Sequence, residues 1–188
     1  MVSAVFLDRD GVINEETAYL HDPKNLRLIA GAASAIRKLN EHNVPIIVIT
    51  NQAGVAKGYY QESEIEMLHS ALAEILKTEG AHIDRFYYCP HHPEGKGEYQ
   101  KVCDCRKPMP GLLLQAAKDF NLEIKRCVFV GDKVSDIGAG VAAGARTILV
   151  MTGYGKEVWQ SWEQPFQPDH VAADLPDAVE WLLSEPSL

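Results

Sequence analysis

Two carboxylates two positions apart open the chemistry available to this chain. Asp8 and Asp10 stand in Asp8-Arg9-Asp10-Gly11, directly after the apolar run Val2 to Leu7. If the backbone stays extended past that run, residues i and i+2 face one side, and Gly11 lets the chain turn away. One carboxylate of such a pair can attack phosphorus and carry an acyl-phosphate. The other can protonate the leaving oxygen and later activate water. The motif alone is short, and a pair of surface carboxylates opening a loop would read the same. Three further stretches shift the balance. Thr50-Asn51 closes a second apolar run, and its hydroxyl can donate to a phosphoryl oxygen. Arg106-Lys107-Pro108 offers a compact cation for the charge on a transferring phosphoryl group. Gly131-Asp132-Lys133-Val134-Ser135-Asp136 follows Val-Phe-Val. Mg²⁺ takes one or two carboxylates besides phosphate and water, and Asp8 with Asp132 can supply two. For Asp136 two readings stand level: charge partner of a helix N-terminus, or outer support around Mg²⁺.

A second cluster of ligand types lies between these stretches. Cys89-Pro90-His91-His92-Pro93 is followed by Cys103-Asp104-Cys105. Three thiolates and one imidazole close a tetrahedral zinc site, and four protein ligands leave no place for water, so such a zinc is structural. Chemistry does not separate His91 from His92. A disulfide is disfavoured in a reducing compartment. Cys127 stands apart at a strand start and reads as a buried core thiol.

The elements that must position these groups alternate. Strands are expected at Val2 to Leu7, Val44 to Thr50, Arg85 to Cys89, Cys127 to Val130, Arg146 to Met151 and, briefly, His170 to Ala173. Helices are expected at Gly31 to Asn43, Gln61 to Glu79, Gly111 to Phe120, Ser135 to Ala143 and Asp174 to Ser184. Ile65, Leu68, Leu72, Ile75 and Leu76 fall on one helical stripe. Pro45 fits a strand beginning, and Pro176 the first turn of a capped helix. Alternation of this kind predicts an α/β doubly wound, Rossmann-like parallel sheet. Ligands bind there outside the carboxyl ends of the strands, so the four stretches are expected to meet. Two long loops remain, Cys89 to Pro110 and Gly153 to Pro168; the second carries Trp159 and Trp162. Both read as elaborations of one domain spanning residues 1–188.

The chain has 188 residues, 46% of them hydrophobic and 23% charged, which suits one domain with a real core. No run approaches the ~20 apolar residues of a membrane span, and the N-terminus lacks the pattern of a signal peptide. A cytoplasmic protein without membrane partners is the expectation. The net charge of -8 argues against nucleic acid. It leaves phosphate binding to local cations, with Arg9, Arg106, Lys107 and Lys133 in or beside the four stretches.

Taken in order, these motifs resemble the haloacid dehalogenase-like (HAD) phosphatase superfamily over essentially the whole chain. The resemblance implies Asp8 as nucleophile, Asp10 as general acid/base, and Thr50 and Lys107 as steadying groups for the phosphoryl. It implies Mg²⁺ on Asp8, the Asp10 carbonyl and Asp132. Val12 departs from the Thr found in many members. The run Tyr-Tyr-Cys-Pro-His-His-Pro-Glu-Gly with Cys-Asp-Cys-Arg-Lys-Pro narrows the likeness. It is similar to the histidinol-phosphatase-like zinc-loop group, and within it to the D-glycero-D-manno-heptose 1,7-bisphosphate phosphatases. That resemblance implies a structural Zn²⁺ on Cys89, His91, Cys103 and Cys105, in a loop spanning about 89–106. It implies substrate contacts from Glu16, Thr17, Ala18 and Tyr19, from Thr50, Asn51, Gln52 and Ala53, and from Arg106, Lys107 and Lys133. The implied reaction is removal of the C7 phosphate of a small sugar bisphosphate through a phosphoaspartate, in nucleotide-activated heptose biosynthesis for bacterial surface glycans such as lipopolysaccharide. Histidinol-phosphate phosphatase is the alternative, and a binding module on an inactive phosphatase scaffold the remote one. Too little chain separates Asp10 from Thr50 to hold a cap domain of ~50 residues. A capless monomer is expected.

Overall fold

The apolar runs become the strands. In the computed structural model, which describes residues 2–184, these are β1 (Ala4–Leu7), β2 (Ile46–Asn51), β3 (Arg85–Cys89), β4 (Cys127–Gly131), β5 (Arg146–Val150) and β6 (His170–Ala172). They form one sheet in the order β3-β2-β1-β4-β5-β6, every pair parallel. The helices are α1 (Ala32–Glu41), α2 (Ala53–Lys57), α3 (Glu62–Thr78), α4 (Gly111–Asp119), α5 (Val134–Ala143), α6 (Gly155–Gln160) and α7 (Leu175–Ser184).

Strand β1 shows why both faces of the sheet must be covered. All four of its residues are buried. Val5 and Leu7 join a core with Ile36 and Leu39 of α1, Leu68 and Leu72 of α3, and Val179 and Leu182 of α7. Ala4 and Phe6 point the other way, into a second core with Leu113 and Ala116 of α4 and Ala139 of α5. A strand buried on both faces reads as a continuous apolar run, without polar alternation. The order of the sheet reverses at β1, flanked by β2 and β4. That reversal opens a crevice at the carboxyl ends of these strands.

Two connections differ from the sequence expectation. The Gly153 to Pro168 segment, expected without secondary structure, contains α6. Beyond α6, Trp162 Nε1 donates to the Phe166 carbonyl at 2.9 Å, and the Trp162 ring packs edge-on against Phe166. Helix α2 starts directly after Gln52, where no helix was expected. Between β1 and α1 the chain forms a strap, pinned where Ile29 N–H donates to the Ile13 carbonyl. Among the described residues no insertion forms a cap.

Candidate active site

The expected alternation past β1 is present. Asp8 and Asp10 both line a cleft of about 260 Å³, together with Thr50, Asn51, Gln52, Ala53, Lys107, Lys133 and Asp136. Arg9 points the opposite way and is fully buried, so it lies behind the cleft. Its guanidinium grips the Asp10 carboxylate, with Nη2 at 2.9 and 2.8 Å from the two oxygens. Its Nη1 lies 3.3 Å from His69 Nε2. Arginine only donates, so that imidazole nitrogen accepts. Burial and the Arg9 charge push the His69 pKa down to about 3, which keeps the ring neutral. His69 stacks on Phe86 of β3.

Asp8 sits at the bottom of the cleft. Its Oδ1 accepts from Lys107 Nζ at 2.9 Å and from the Arg9 backbone N–H at 2.8 Å. Burial alone would raise its pKa, but the Lys107 and Lys133 charges outweigh it and hold the carboxyl below its ordinary value. Lys107 Nζ also meets Asp136 Oδ1 at 2.7 Å and the Ile49 carbonyl at 2.8 Å. Two carboxylates and a carbonyl thus surround the ammonium. Burial would lower the Lys107 pKa, yet Asp136 and Asp8 raise it, so the ammonium persists. Its backbone is fixed by Asn51, which donates to the Lys107 carbonyl at 3.1 Å and accepts its N–H at 3.0 Å.

Asp136 takes the helix-start role with one oxygen and an ion pair with the other. Oδ2 accepts the Lys133 N–H at 3.0 Å and caps α5, while Oδ1 pairs with Lys107. Asp132, Asp136 and Asp8 bring oxygens within 4.8 Å of one another. Asp132 Oδ1 is buried without a hydrogen-bond partner. Burial, with the nearby Asp136 and Asp8 charges, pushes the Asp132 pKa up to about 8. An unpartnered buried carboxylate oxygen in a cluster of acids is what a divalent cation relieves, so these residues fit Mg²⁺.

On the strand β2 side, Gln52 Nε2 donates to Asp10 Oδ2 at 3.1 Å and to Thr50 Oγ1 at 3.0 Å. Thr50 keeps its own proton for another acceptor. Tyr60 donates to Gln52 Oε1 at 3.0 Å, and burial pushes its pKa up to about 12. The strap forms the opposite wall with Glu16, Ala18 and Tyr19. Glu16 accepts from the Ala18 N–H at 2.9 Å and from Lys133 Nζ at 2.9 Å. Ala18 and Tyr19 hold positive φ angles of 48° and 57°, a strained pair of the kind found at functional sites. Tyr19 Oη accepts from Lys57 Nζ at 2.7 Å.

Two expected substrate contacts, Thr17 and Arg106, are not among the cleft-lining residues. Arg106 Nη1 instead donates to the His91 carbonyl at 3.2 Å. Tyr60, Ser135 and Tyr154 line the cleft and were not anticipated. Tyr154 lies in a loop whose approach depends on long-range packing, which local pattern does not reveal.

The second cluster assembles beside the cleft. Cys89, His91, Cys103 and Cys105 offer donor atoms within 4.8 Å of one another. The Cys105 and Cys89 sulfurs are 3.0 Å apart, and His91 Nδ1 lies 3.2 Å from Cys105 Sγ. His92 is turned away, its Nδ1 accepting the Glu94 N–H. All four cysteines are free thiols. This donor set fits zinc. The loop is moored through Glu62, which accepts from Tyr88 and Tyr99 hydroxyls at 2.8 Å each.

Comparison with known proteins finds relatives over nearly the whole chain. A family model described as "HAD-hyrolase-like" matches residues 104–178. The D-glycero-beta-D-manno-heptose-1,7-bisphosphate 7-phosphatase of Pasteurella multocida is 40% identical over 188 residues, 98% of this chain and 100% of that protein. The D-glycero-D-manno-heptose-1,7-bisphosphate 7-phosphatase of Thermosynechococcus vestitus is 43% identical over 95% of this chain and 94% of its own length. The crystal structure of D,D-heptose 1,7-bisphosphate phosphatase from B. bronchiseptica, complexed with magnesium and phosphate, superposes with a TM-score of 0.87. It is 29% identical and covers 96% of this chain and 98% of its own.

Proposed function

The chain belongs to the HAD-type heptose-1,7-bisphosphate 7-phosphatases, and from that premise we propose that it hydrolyses the C7 phosphate of D-glycero-D-manno-heptose 1,7-bisphosphate. The observation that carries this reading is the meeting of Asp8, Asp10, Thr50, Lys107 and Asp132 at the switch point of the sheet, next to a Cys₃His cluster.

In the proposed reaction Asp8 attacks phosphorus through Oδ2, since both of its close donors occupy Oδ1. The bond from phosphorus to the C7 oxygen breaks, and Asp10 gives that oxygen a proton. Water then attacks the phosphoaspartate, Asp10 takes its proton, and the bond to Asp8 breaks to release phosphate. Arg9 and Gln52 hold Asp10 in orientation from behind and from the side. Thr50 donates its free hydroxyl proton to a phosphoryl oxygen, and Lys107 and Lys133 balance the charge. Asp8, Asp132 and the Asp10 carbonyl would hold Mg²⁺, with Asp136 braced between Lys107 and the start of α5. When bound, Mg²⁺ supplies Lewis-acid stabilisation of the phosphoryl oxygens. Cys89, His91, Cys103 and Cys105 would hold a structural Zn²⁺ that fixes the chain leading into Lys107.

The test is a kinetic panel with purified protein. It compares heptose 1,7-bisphosphate, heptose 7-phosphate and histidinol phosphate, each with Mg²⁺ and with chelator. The expected result is Mg²⁺-dependent release of one phosphate from the bisphosphate, with the highest kcat/KM on that substrate. Asp8→Asn is expected to abolish turnover while keeping zinc. A preference for histidinol phosphate would reassign the substrate, and full activity in Asp8→Asn would remove the nucleophile.

A further inference from the structure

Asp132 is gripped at one oxygen and left open at the other. Oδ2 accepts the backbone N–H of Tyr154 at 2.9 Å. Oδ1 has no hydrogen-bond partner; the ammonium of Lys133 stands 3.6 Å off and is engaged by Glu16. The gripping group belongs to Thr152-Gly153-Tyr154, the turn that follows β5. This turn also reaches the nucleophile loop, where Thr152 Oγ1 donates to the Gly11 carbonyl at 2.6 Å.

The space around the carboxylate is defined by two glycines. Gly11 has φ +87° and Gly153 φ +55°, both in the left-handed region that other residues avoid. A Cβ on either would overlap Asp132 Oδ2, and one on Gly153 would also come within 2.6 Å of Gly11 Cα. The carboxylate therefore sits in a slot between two bare α-carbons. A loosely held carboxylate would rotate to satisfy both of its oxygens. The slot and the Tyr154 N–H together remove that freedom. The turn thus ties the loop after β1 to the loop after β4, and so sets Asp8 and Asp132 relative to one another.

We propose that Thr152 and Gly153 are positioning residues for the metal centre: the turn after β5 locks Asp132 so that its unpartnered oxygen faces Asp8 and Asp136. This inference rests on the Mg²⁺ reading given above. Neither residue touches substrate or a reacting atom; both act through Asp132 and Gly11. Groups that orient a metal ligand typically change metal affinity by about 10–100-fold when removed.

The experiment is calorimetric titration of Mg²⁺ into the full chain without substrate, for the wild type, Thr152→Val, Thr152→Ser and Gly153→Ala. Thermal melts in metal-free buffer accompany it. Thr152→Val removes the bond to Gly11 with little change in shape, and Thr152→Ser retains it. Thr152→Val and Gly153→Ala are expected to bind Mg²⁺ about tenfold more weakly or worse, with Thr152→Ser close to wild type. Should Gly153→Ala fail to fold, the Thr152 pair decides. Mg²⁺ affinities within twofold of wild type in Thr152→Val would overturn the proposal, even if its melting point fell, because the role would then be structural only. A wild-type protein that takes up no Mg²⁺ would sink the metal reading, and the positioning role with it.

Discussion

At the scale of single residues, the site is organised by groups that never meet the cleft. Arg9 reads from sequence as a phosphate cation, because charge near a catalytic motif suggests a ligand. The same alternation that points Asp8 and Asp10 into the cleft sends Arg9 backwards. There it orients Asp10 and rests on His69. The pH dependence of stability follows from that contact. His69 is neutral in the fold, with its pKa pushed down to about 3 by burial and by Arg9, whereas an unfolded histidine titrates near 6.5. As pH falls below about 6.5 the unfolded chain gains a proton that the fold refuses, so stability drops until the pH nears 3. Between pH 7 and pH 5 this one group should cost about 2 kcal/mol of unfolding free energy. Denaturant unfolding at the two pH values checks it against His69→Gln, which keeps an acceptor for Arg9 but does not titrate. The same pH dependence in both proteins would clear His69 of the effect.

Among the elements, strands were legible and short helices were not. Doubly buried strands announce themselves as apolar runs, and α3 carries a stripe from Ile65 to Leu76. Helices α2 and α6 have five and six residues, too few turns to display a 3.6-residue period. Cleft contacts from Tyr60 and Tyr154 were invisible for a related reason, since partners distant in sequence place them. The Cys89 to Cys105 loop is the element whose role is most open to test. Its donors converge within 4.8 Å, and it runs directly into Arg106, which returns to the loop, and Lys107, which enters the cleft. Cys103→Ala with Cys105→Ala is expected to lose zinc, to open residues 90–104 to limited proteolysis, and to lower kcat/KM at least tenfold. Unchanged activity in a folded, zinc-free variant would detach the loop from catalysis.

For the molecule as a whole, both cores share one sheet, and the α1 and α7 helices pack together on one face of it. We propose that the chain is a single domain. It should then unfold in one transition, with tryptophan fluorescence and far-ultraviolet circular dichroism superimposing; two separated midpoints would argue for two units. No helix among the described residues is long and apolar enough to cross a membrane. The strap between β1 and α1 carries a different lesson. One wall of the cleft is built on strand ends, where any shift would disturb the core. The other wall is the strap, attached near the cleft by Glu16 to Lys133 and by Tyr19 to Lys57. Within it, residues 16–19 lie outside the core, so their side chains can change while the strand ends that carry Asp8 and Thr50, and Lys107 beside them, stay in place. Reaction and preference are therefore separable in inheritance, and a descendant could acquire a new sugar through changes in residues 16–19 while keeping its chemistry intact.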